Sequence, residues 1–64
     1  MQLTTRQRIA IANAAKYTRL DLAAHAAINQ QYWVQVLRDQ EGFYRVPATN
    51  REQSILEKLG YTVV

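Results

Sequence analysis

Thr18-Arg19-Leu20-Asp21-Leu22-Ala23-Ala24-His25-Ala26-Ala27-Ile28-Asn29-Gln30-Gln31-Tyr32-Trp33-Val34-Gln35-Val36-Leu37-Arg38 is the stretch on which the fold turns. Its first half is Ala-rich, and its second half is rich in amides and aromatics. Thr18 followed by Asp21 reads as a helix start, with a hydroxyl at the N-cap and a carboxylate near the positive end of the helix dipole. The helix so begun spans residues 19–27, with Leu22, Ala23 and Ala26 on one face. Ala23 stands where two crossing helices need a small side chain. A tight turn at Ala27-Ile28-Asn29 comes next, and with no Gly there a left-handed residue would cost up to about 1 kcal/mol. Asn29 is then a good N-cap for a third helix over residues 30–38 or 30–40. Trp33, Val36 and Leu37, with Ile28 across the turn, make its core face. Gln30, Gln31, Gln35 and Arg38 are left outside, and Val34 is the one apolar residue among them.

Working outward, Thr4-Thr5-Arg6-Gln7 fits a capping box and opens a first helix that runs to about Lys16 and is closed by Tyr17. Its apolar stripe is broad and built mostly of small residues. Downstream, Asp39-Gln40-Glu41-Gly42 ends the helical unit. Phe43-Tyr44-Arg45-Val46 alternates weakly and stops at Pro47, which predicts a short strand. Thr49-Asn50-Arg51-Glu52 is a second capping box, starting a helix that runs to Leu59 with Ile55, Leu56 and Leu59 inward. Gly60 is placed for the left-handed residue after a helix, and Tyr61 for the contact that accompanies it. Tyr61-Thr62-Val63-Val64 again predicts strand, paired with residues 43–46 in a two-stranded sheet. The expected fold is therefore mainly α. It has a three-helix core over residues 1–41, then a strand, a fourth helix and a final strand over 42–64, all in one domain.

Composition narrows the function. A chain of 64 residues holds a single small core. With no Cys and one His, neither a disulfide nor a zinc site is expected. His25 has Asp21 four residues before it, but no nucleophile motif accompanies the pair, so it reads as a helical surface histidine. Gly42 and Gly60 are the only glycines, which excludes a Gly-rich phosphate loop, and the five acids are dispersed. The expectation is a non-enzyme without metal or cofactor. Lys and Arg number 8 against 5 acids, for a net charge of +3. Arg6, Arg8, Lys16 and Arg19 all precede the first acid, while the rest of the chain is nearly balanced. Such an excess permits a polyanionic partner without demanding one. No signal-peptide core and no bilayer-length apolar run is present, so a cytoplasmic protein without a membrane partner is expected.

The stretch from Leu22 to Val36 resembles the motif of phage-repressor-like helix-turn-helix DNA-binding proteins, and the resemblance extends over residues 8–38. Leu22, Ala23, Ile28, Trp33 and Val36 fall at its apolar and small positions, Ala26 matches the second small residue, and Asn29 stands where Ser is usual. Ala27 replaces the customary Gly, and Val34 replaces a polar residue. The resemblance implies a small transcriptional regulator of phage or plasmid type that reads double-stranded DNA as a dimer. In that arrangement Gln30, Gln31 and Gln35 face the major groove, where a Gln amide can pair with adenine. Val34 meets a thymine methyl. Asn29, Arg38, Arg19, Arg8, Arg6 and Lys16 hold phosphates, which gives affinity and register rather than sequence choice.

A second class of function fits the same residues. Aromatic density around Tyr32, Trp33, Phe43, Tyr44 and Tyr61, with Val34 exposed, would suit a small protein-interaction module such as a viral or plasmid inhibitor, adaptor or particle component. Its contact patch would join Tyr32 and Val34 to Phe43 or Tyr44, as a homodimer seam or a docking surface for another protein. An unpaired strand edge at residues 61–64 could extend another sheet.

Overall fold

A computed structural model describes residues 2–64 and shows an α+β fold, not a mainly α one. The order is α1 (Thr5–Asn13), β1 (Ala15–Tyr17), α2 (Leu20–Ile28), β2 (Leu37–Arg38), β3 (Tyr44–Val46), α3 (Asn50–Lys58) and β4 (Thr62–Val63). The four strands form one sheet in the order β1-β3-β2-β4, with every neighbouring pair antiparallel.

The first helix begins as its sequence dictates. Thr4 Oγ1 accepts from the Gln7 amide at 3.1 Å, and Gln7 Oε1 accepts from the Thr4 amide at 2.8 Å. It stops earlier than expected, because Ala14 turns to an extended backbone and Ala15, Lys16 and Tyr17 pair with Val46, Arg45 and Tyr44. The sheet outbids local helix propensity here, since each residue given to the strand gains a ladder partner and seats Tyr17 against the core.

The largest correction concerns residues 29–38. No turn forms at Ala27 and Ile28. Helix α2 runs through both, starts at the N-cap Arg19 rather than Thr18, and ends at Asn29, whose amide donates to His25 O at 3.2 Å. Asn29 thus closes one helix instead of opening another, and there is no third helix over residues 30–38. The chain crosses in an irregular loop and becomes β2, where Leu37 sits in register with both Arg45 and Val63. The physical reason lies in Tyr32-Trp33-Val34-Gln35-Val36. These are mostly aromatic and β-branched residues, which lose side-chain freedom in a helix and suit a pleated surface.

A hairpin follows from Asp39. Its Oδ1 accepts from the amides of Glu41 and Phe43, both at 2.9 Å, and its own amide donates to Phe43 O at 2.9 Å. Gly42, at φ +94°, supplies the left-handed residue that this loop needs. Strand β2 therefore lies between β3 and β4, so the expected direct pairing of residues 43–46 with 61–64 does not occur. The last helix is capped by Thr49, which accepts from the Glu52 amide at 3.1 Å. The carboxylate of Glu52 does not complete the box, and instead accepts from Asn13 Nδ2 at 3.2 and 3.3 Å, tying α3 to the end of α1. At the other end the Gly60 amide donates to Glu57 O and the Tyr61 amide to Leu56 O, the double bond pattern of a glycine-closed helix.

Because side chains alternate across a strand, the sheet buries two clusters on opposite faces. Leu37 packs with Ala10, Ala14 and Leu56 under α1 and α3. Val46 packs with Ala23, Ala27 and Val34 under α2. Arg45, opposite Leu37 in register, turns toward α1. Its guanidinium donates to Ile11 O at 2.8 Å and Ala14 O at 3.4 Å, and pairs with Asp39 at 3.5 Å. Among the described residues, no helix is long and apolar enough to cross a membrane.

Removing one member of a nearly buried ion pair strands the other, at a typical cost of about 3 kcal/mol. Urea unfolding of Arg45→Met is expected to show a loss of that size, with Tm lower by more than about 10 °C. Arg19→Met, at the exposed Arg19–Asp21 pair, should stay within about 0.5 kcal/mol of the parent chain. Equal losses would deny the Arg45 site its structural role.

Candidate interaction surfaces

The loop that replaces the third helix is held at both ends. At its start, Gln30 Nε2 donates to Pro47 O at 2.9 Å. At its end Val34, only 2% exposed, fills the cluster beneath α2. Next to it the Gln35 amide donates to Gln53 Oε1, while Gln53 Nε2 donates back to Gln35 Oε1, each at 2.9 Å. Gln53 is itself buried on α3 and Gln35 is exposed, so this pair of bonds satisfies a buried amide at the edge of the core.

Between these anchors the chain presents its largest apolar side chains to solvent. Trp33 is 70% exposed and Tyr32 57%, and Ile28 at the end of α2 is 77% exposed. Sequence reasoning gave Trp33 the core and left Val34 outside, and the structure exchanges them. In an extended segment neighbours point to opposite sides, so seating the smaller Val34 in the narrow space lined by Ala23, Ala27 and Val46 turns Trp33 outward.

The residues expected to face a DNA groove do not share one helical face. Asn29 caps α2, Gln30 and Gln35 are occupied by Pro47 and Gln53, and Gln31 is exposed on the loop. Arg38 is exposed on β2, Arg8 is exposed on α1, and Arg19 is paired with Asp21 at 2.8 Å. That same bond draws the Asp21 carboxylate to Arg19. The expected patch of Tyr32, Val34, Phe43 and Tyr44 is also dispersed. Val34 and Tyr44 belong to the core cluster beneath α2, and Phe43 lies under the Lys16 ammonium, 4.0 Å from the ring centre. Tyr32 alone of the four is exposed.

A second surface was only partly legible. Two depressions lie along the seam between α1 and α3, a third adjoins them at the start of α3, and Arg51 lines all three. Arg6 and Ile55 line two, Lys58 closes one end, and Tyr32 stands at the other. Arg51 and Lys58 went unnoticed in the sequence, although their spacing of seven along a helix places them on one face. Among the described residues, no group of three or more His, Asp or Glu side chains comes together as a metal site would require.

Compared with protein-family models, curated proteins and solved structures, the chain matches none of them.

The exchange of Trp33 and Val34 has a direct energetic signature. Val34→Ala should cost about 2 kcal/mol, since it opens a cavity in the cluster beneath α2. Trp33→Ala should fall within about 0.5 kcal/mol. Denaturant titrations of the two variants check this, and a larger loss for Trp33 would contradict the described packing.

Proposed function

We propose that this chain is a small non-enzymatic interaction module that binds protein through the loop between α2 and β2. The observation that carries the reading is the pinned loop itself. Gln30, Val34 and Gln35 fix its course, so the backbone that carries Tyr32 and Trp33 is held in place before any partner arrives. Pre-ordered aromatics lose little entropy on binding, and aromatic side chains dominate the energetics of many interfaces.

The partner that the chain itself supplies is a second copy. The core is small, with alanines at half of its buried hydrophobic positions, while Ile28, Tyr32 and Trp33 leave apolar surface uncovered. A domain of this size commonly gains stability by association, and a two-fold pairing of this loop would bury Ile28 and Trp33 of each copy and leave Tyr32 at the rim. The helix expected to enter a DNA groove is absent, so a regulator of that design is not proposed.

Sedimentation equilibrium tests the reading. The parent chain is expected to show a concentration-dependent doubling of mass, accompanied by a blue shift of the single Trp33 emission as the loop is covered. Trp33→Ala and Ile28→Glu should each remove the doubling without lowering the unfolding midpoint of the monomer. A parent chain that stays monomeric at about millimolar concentration, with Trp33 emission unchanged, would reject association through this loop.

A further inference from the structure

We infer that the trough between α1 and α3 binds single-stranded nucleic acid, at a surface distinct from the Ile28 and Trp33 contact. Three cationic side chains line it: Arg6 from α1, with Arg51 and Lys58 from α3. None of the three forms an ion pair among the described residues, where the only pairs are Arg19–Asp21 and Arg45–Asp39. Glu52, held by Asn13 Nδ2, is the one acid that lines the trough, so three cations face a single anion there. The local field is therefore positive in a molecule whose overall excess is only +3. Polar side chains of Thr4, Gln7 and Ser54 line the same wall and can donate to phosphate oxygens.

The strand class follows from shape and from Tyr32. The cations lie in a concavity between two packed helices, where a single phosphate backbone can enter. Reading a duplex instead calls for a protruding helix or ribbon in the major groove. Tyr32 is exposed beside Arg51 at the end of the trough, so a base leaving the phosphate track meets an aromatic face. A cationic groove with an adjoining stacking ring is the general solution for unpaired strands, and it tolerates any base because each has a π-face. Between Arg51 and Lys58 the helix rises by about 10 Å, which suits contact with a few nucleotides.

The test is fluorescence anisotropy of a labelled oligothymidine titrated with the full chain at low salt. Affinity should fall with salt at a log–log slope of about −2, as expected for three phosphate contacts to a single strand. Arg51→Gln and Lys58→Gln should each reduce that slope by about 0.7. Tyr32→Ala should weaken binding by about tenfold or more at an unchanged slope. Arg19→Gln removes a charge outside the trough and should leave binding as it is, as should Trp33→Ala with an oligothymidine too short to span two troughs. The inference is overturned if oligothymidine does not bind, or if Arg51→Gln and Arg19→Gln have the same effect. It is also overturned if a duplex binds more tightly than the single strand, or if polyglutamate competes at equal charge, the latter marking an acidic protein segment as the ligand.

Discussion

Arg45 is the point at which the fold is tied together. Helix α1 has no basic residue in its last turn, so the negative end of its dipole is uncompensated within the helix. The Arg45 guanidinium, arriving from β3, donates to the carbonyls of Ile11 and Ala14 at that end. Its charge is balanced by Asp39, whose other oxygen holds the amides of Glu41 and Phe43 and so shapes the hairpin between β2 and β3. One cation thereby links the end of a helix, a strand and a loop. Arg45 Nε is left buried without a partner, so the site is not fully satisfied. Its value is geometric, because it sets where α1 must stop and where β2 must end.

The exposed surface follows from that geometry. Once β2 is the inner strand, Leu37 must face α1 and α3, and Val36, its neighbour, must face α2. The residues leading into β2 then have little freedom, and Val34 is drawn under α2. Tyr32 and Trp33 have no room inside, since the cluster there is lined by alanines. A core of small side chains thus decides which aromatics are displayed. The Gln35 amide, in a backbone that crosses outside regular structure, is satisfied by Gln53 Oε1, while the Gln30 side chain donates to Pro47 O.

Both proposed surfaces meet near Tyr32 and use different chemistry. The loop offers apolar area on a fixed frame, and the trough offers charge between two helices. Pairing of two copies through the loop would place two troughs in one particle, and linked sites on one flexible strand bind more tightly than either alone. The modest net charge suits this arrangement, since a weak single site gains most from being doubled.

Much of the local structure was readable from the residues themselves. Thr4 with Gln7, Thr49 with the amide of Glu52, and Gly60 followed by Tyr61 all act as their local chemistry demands, because a cap is settled within one helical turn. Residues 44–46 and 62–63 were recognisable as strands by composition. Their partner was not, because it lies in Leu37 and Arg38, where amides and aromatics at helical spacing concealed a β-favouring run from Tyr32 to Val36. The placement of Trp33 against Val34 likewise depended on the space left by Ala23 and Ala27, which no neighbour in sequence reports. The trough was half visible, in Arg6 alone, since it joins residues from the two ends of the chain. Sequence by itself determined where α1 and α3 begin and how α3 ends, through contacts a few residues long. Only the tertiary structure decided that residues 29–38 form a loop and a strand, because the energy that selects them comes from ladder partners and a core supplied by distant parts of the chain.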